Sequence, residues 1–82
     1  MNNRKRLQKV IAAPQNVRFG EMVTLVNAFG FRLLRTSGGH HIFGRDGIVE
    51  QLNLQNVNGK AKPYQIRQFL KIVERYNLTL ND

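Results

Sequence analysis

The apolar residues of this chain change their spacing twice, and that change limits the layers it can build. Phe19, Met22, Val23, Val26 and Phe29 recur at i, i+3, i+4, i+7 and i+10, one stripe along a helix over 17–29. After Phe31 the spacing shortens. FRLLRTS (31–37) and HHIFG (40–44) flank Gly38-Gly39, a two-residue hairpin signal. Beyond a second turn, RDG (45–47), the stretch IVEQLNLQ (48–55) alternates, with Leu52 and Leu54 on one face and Asn53 and Gln55 on the other. Helical spacing then returns at Ile66, Phe69, Leu70, Val73 and Tyr76, with Pro63 placed at a first helical position and the helix ending near Asn77.

The punctuation supports the same division. Asn16 is the expected N-cap of the 17–29 helix and Gly30 its C′ residue. The polar run NVNGKAK (56–62), marked by Asn58-Gly59, reads as a loop. A shorter stripe of Leu7, Val10 and Ile11 predicts a helix over 3–13, ended by Pro14. The expected fold is therefore α+β: a two-layer sandwich of three antiparallel strands with both main helices on one face, plus a short N-terminal helix. Residues 1–16 form a short basic helix and linker, and residues 17–82 one small domain.

Charge narrows the partners. Thirteen Lys and Arg oppose five Asp and Glu, giving +8 and a pI near 11.0. Such a field suits a polyanion, most simply nucleic acid, or an acidic protein. The basic residues are scattered, which fits a membrane surface less well. Arg67, Lys71 and Arg75 follow one another at four-residue spacing along the last helix. They form either a ridge for RNA phosphates or an acidic protein's carboxylates, or a solvated face. The absence of cysteine removes disulfides, thiolate zinc sites and a cysteine nucleophile. No run approaches a membrane span, and the apolar part of the basic start (Val10 to Ala13) is too short for a secretory segment. A cytoplasmic location, no membrane partner and no cofactor are expected.

The two histidines, His40 and His41, stand directly after the glycine turn. They have three readings. A histidine beside a turn commonly hydrogen-bonds locally. A metal site is disfavoured, because neighbours on a strand point to opposite faces and only Asp46 lies near in sequence, so no metal ligands are assigned. The third reading is general acid–base chemistry on RNA, which carries its own nucleophile in the 2′-hydroxyl. Gly38 and Gly39 would let a phosphodiester approach the backbone, with Arg35, Arg45 and Lys62 to stabilise its charge.

SGGHHIF preceded by FGFRLLR resembles the G-S-H-x-x-F signature of the HicA family of toxins, the ribonuclease halves of bacterial HicA–HicB toxin–antitoxin modules. The likeness covers about residues 17 to 78, and the order helix, three strands, helix is also the family's. It implies a fold like the double-stranded-RNA-binding domain and a metal-independent endoribonuclease acting on messenger RNA. It also implies a HicB-like antitoxin protein as partner, His40 as the catalytic histidine and Gly38 as the motif's glycine. Three departures stand out. Gly39 replaces the usual serine, Gly44-Arg45-Asp46 replaces the Arg-His-Pro that often follows the second strand, and Lys62-Pro63-Tyr64 replaces a Gly-Thr-Leu helix start. His41 takes a supporting or structural place. The rival reading, from a different class, is a non-catalytic RNA-binding module that tracks phosphates by shape and charge.

Overall fold

The computed structural model describes residues 1–80, so the last two residues of the expected 17–82 domain lie outside the described residues. Helix α1 spans Asn3–Ala12, and the Asn2 side chain caps it by accepting the Lys5 amide at 2.9 Å. Val10 enters the core, Leu7 packs against it, and Ile11 stays exposed. A 3-10 turn over Pro14–Asn16 follows, then helix α2, Phe19–Ala28.

The N-cap of α2 is Arg18, not Asn16. Pro14 nucleates its own turn, and Val17 is then extended and buried, with its carbonyl accepting the Ala61 amide at 3.0 Å. Asn16 instead accepts Lys60 Nζ at 3.2 Å. Glu21 accepts the Arg18 amide at 3.4 Å and meets Lys9 at 2.9 Å, which ties α1 to the first turn of α2. At the other end Gly30 has φ +87°, the left-handed C′ conformation its position predicts.

Four strands follow where three are expected: β1 Arg32–Ser37, β2 His40–Arg45, β3 Ile48–Val57 and β4 Lys60–Ala61. They form an antiparallel meander in the order β1-β2-β3-β4. The run 56–62 is not a loop. Asn58 (φ 52°) and Gly59 (φ 85°) make a two-residue turn, and Asn56 pairs with Ala61 and Val57 with Lys60. With only two residue pairs, this short hairpin is too brief for alternation to reveal.

Register sorts the side chains. Leu33, Phe43 and Leu52 form one row, and Thr36, His41 and Leu54 another on the same face. Ser37, His40 and Gln55, then Arg35, Ile42 and Asn53, form rows on the reverse face. Phe43, Leu52 and Leu54 are buried in one cluster with Met22, Leu25, Val26 and Phe29 of α2. The same cluster takes Ile66, Phe69 and Ile72 of α3, which spans Pro63–Arg75. Phe69 meets Phe29 and Phe31 edge to face at 5.4 and 5.7 Å. The molecule is thus α+β, with two N-terminal helices, a four-stranded antiparallel sheet and a C-terminal helix packed on it. Tyr76 departs from the expected apolar stripe: it is exposed, just past the end of α3. None of the described helices is long and apolar enough to cross a membrane.

Candidate functional site

The turn that delivers His40 needs its glycines. Gly38 and Gly39 have φ +55° and +85°, both left-handed, the combination a tight two-residue hairpin requires. Ser37 and His40 close the hairpin as a pair. His40 then falls on the face turned away from the core and is partly buried. Its Nδ1 lies 3.0 Å from Asn53 Oδ1, and its Nε2 lies 3.4 Å from Gln55 Nε2.

Behind these two amides stands Gln65, 2% exposed and the sole buried polar side chain among the described residues. Its Oε1 accepts the backbone amide of Gln55 at 2.9 Å, and its Nε2 donates to Gln55 Oε1 at 3.0 Å. Burying an amide side chain is tolerated because both of its ends are paired. Gln65 Nε2 also lies 3.4 Å from the Tyr64 hydroxyl, and Lys62 Nζ sits 6.0 Å from the centre of the Tyr64 ring. Lys62 is thus not among the groups that meet the His40 ring.

Asn53, Gln55 and Gln65 are absent from the residues that the sequence singles out. Alternation along β3 does place Asn53 and Gln55 on the polar face, which is the signal available for them. Gln65 gives no signal. A glutamine in a first helical turn is ordinarily solvent-facing, and only the free edge of β3 gives it a buried partner.

The other candidates separate into those near His40 and those far from it. Arg35 shares its face and lies 3.5 Å from Gln51 Oε1. His41 points the opposite way: its ring packs 4.8 Å from that of Phe19, and its Nδ1 lies 3.2 Å from the Gly39 carbonyl. Arg45 is at the far end of β2, five residues or about 16 Å along the strand. Its Nη1 donates to the Phe29 carbonyl at 2.9 Å, so it secures the C-terminus of α2 and is not brought to His40.

Arg67 and Lys71 are exposed on α3. Lys71 borders a recess of about 290 Å³ between α3 and β3, whose wall includes Asn53, a partner of His40, and Gln65, a partner of Gln55. Arg75, third of the expected ridge, is occupied: it pairs with Glu50, whose carboxylate also accepts the Tyr76 hydroxyl at 2.5 Å. Among the described residues no group of three or more His, Asp or Glu side chains is gathered where it could hold a metal ion. No family model, no curated protein and no solved structure matches the chain.

Proposed function

We propose that this chain is an RNA-binding protein of double-stranded-RNA-binding-domain-like fold, acting as a metal-independent endoribonuclease with His40 as its acid–base group. On this reading it is the toxin half of a HicA–HicB-type pair, and an acidic HicB-like protein neutralises it. One observation carries the proposal: the His40 imidazole stands on the sheet face turned away from the core, held by the neutral amides of Asn53 and Gln55. No carboxylate is among those partners, and an imidazole is a side chain that can serve as general base or general acid. His40 would take the proton of an RNA 2′-hydroxyl. That oxygen then attacks the adjacent phosphorus as the bond to the 5′-oxygen breaks, and the leaving oxygen takes a proton from water, giving a 2′,3′-cyclic phosphate and a 5′-hydroxyl end, while the His40 imidazolium returns its proton to solvent. Arg35, on the same face, and Lys71, at the edge of the neighbouring recess, supply positive charge for the phosphate.

A specific observation favours the rival reading of a non-catalytic RNA-binding module. Both ring nitrogens of His40 already have partners within the protein. The deciding experiment incubates the purified chain with RNA in excess EDTA. Cleavage is expected, falling on the order of 10²-fold in His40→Ala and far less in His41→Ala. Wild-type protein that binds RNA but leaves it intact, with or without added Mg²⁺, would establish the binding module instead.

A further inference from the structure

We infer that Gln65 and Gln55 are positioning residues that fix the tautomer of His40, placing the proton on Nδ1 and leaving Nε2 with a lone pair. The inference rests on the proposed function only for the use made of that lone pair.

It follows from donors and acceptors taken in order. A backbone N–H can only donate, so the atom of Gln65 that meets the Gln55 amide at 2.9 Å must be the carbonyl oxygen Oε1. The other end of that side chain is then the NH₂ group. It must donate, and the atom it meets at 3.0 Å is fixed as Gln55 Oε1. Gln55 therefore turns its own NH₂ toward His40, 3.4 Å from Nε2. A protonated Nε2 would set donor against donor, so Nε2 accepts. The ring proton lies on Nδ1, where Asn53 Oδ1 waits at 3.0 Å. Each amide orientation is forced by the one before it, and the series starts from a group that has no choice.

The consequence is chemical. The arrangement selects the form that a free histidine side chain in water disfavours, and it equips His40 to begin as a base, with Nε2 the working atom. The 3.4 Å contact to Gln55 is long enough to yield to a substrate hydroxyl, as such contacts do before substrate binds. Burial is what keeps Gln65 from rotating: turning its amide would aim an NH₂ group at the Gln55 N–H with no water to relieve it.

The test is ¹⁵N NMR of the imidazole nitrogens at about pH 8, where histidine is ordinarily neutral. Wild-type His40 is expected to show a protonated Nδ1 and an unprotonated Nε2. In Gln55→Glu, the carboxylate still accepts from Gln65 but offers no donor to the ring, so Nε2 should carry a proton. In Gln65→Met the series loses its origin and Nε2–H should gain population. Should Gln65→Met fail to fold, Gln55→Glu, altered on the sheet surface, decides alone. A wild-type ring protonated on Nε2, or a Gln55→Glu ring indistinguishable from wild type, overturns the inference. The expected tautomer in a protein that cuts no RNA would sustain it and remove the ribonuclease reading instead.

Discussion

Gly39 combines a φ of +85° with open space, nothing lying within 4 Å of where a Cβ would sit. The cost of a side chain there is therefore a backbone cost alone. Gly39→Ser, which writes the HicA-like serine into this chain, should lower stability by about 1 kcal/mol, read as a shift in denaturant midpoint. An unchanged midpoint would mean that the turn accepts φ > 0 from serine, or that it relaxes into another type. The opposite-face placement of His40 and His41 was legible in the sequence, because adjacency on a strand leaves no other arrangement. The place of Arg45 was not. Its side chain is long enough to reach the last carbonyls of α2, and nothing in residues 44 to 46 announces that partner. Gln65 was hidden for a related reason: its value lies in an unpaired strand amide ten residues earlier.

Helix α3 is fastened near both ends, by Gln65 at the start and by the Glu50 cluster at the finish. The Tyr76 hydroxyl first, and Arg75 with it, hold the Glu50 carboxyl below its ordinary 4.5. A carboxyl depressed by folding stabilises the fold above its unfolded value, and that contribution is lost as pH falls through the folded one. Acidification from about pH 5 to about pH 3 should therefore lower amide protection, measured against the intrinsic exchange rate at each pH, over residues 73–78. Glu50→Gln should remove most of that pH dependence. Glu21, likewise lowered by its hydrogen bond from Lys9, continues to act on α1 in the variant, so exchange at α1 serves as the internal control. Tyr76 is raised from 10.0 by the same contact, so its share is lost as pH climbs through the folded value. Protection at 73–78 that ignores both the pH and the substitution would show the cluster to be ornamental. At this scale the sequence was a good guide to α2 and α3, whose apolar spacing is regular, and to the first three strands, which the turns at Gly38-Gly39 and Asp46-Gly47 delimit. It missed β4, a two-residue strand too short for alternation to show, where only the Asn58-Gly59 pair marks the turn.

Across the whole molecule, thirteen Lys and Arg meet five acids, and among the described residues only Lys9–Glu21 and Arg75–Glu50 form ion pairs. Most of the positive charge is thus available to a partner. RNA affinity should fall at least about tenfold between about 50 and 200 mM salt, because each neutralised phosphate releases counterions. A flat salt response would place the affinity elsewhere. The meander has a further consequence, for biosynthesis. Each strand pairs with its neighbour in the chain, so the hairpins form in the order in which a ribosome releases them. His40 emerges early, but Asn53, Gln55 and Gln65 follow it, and Val17 must wait for Ala61 before its carbonyl is paired. Until α3 has been made, Gln55 lacks the partner that fixes its amide beside the imidazole. Nascent chains cut short before residue 65 would carry the histidine without Gln65, the group from which its orientation starts.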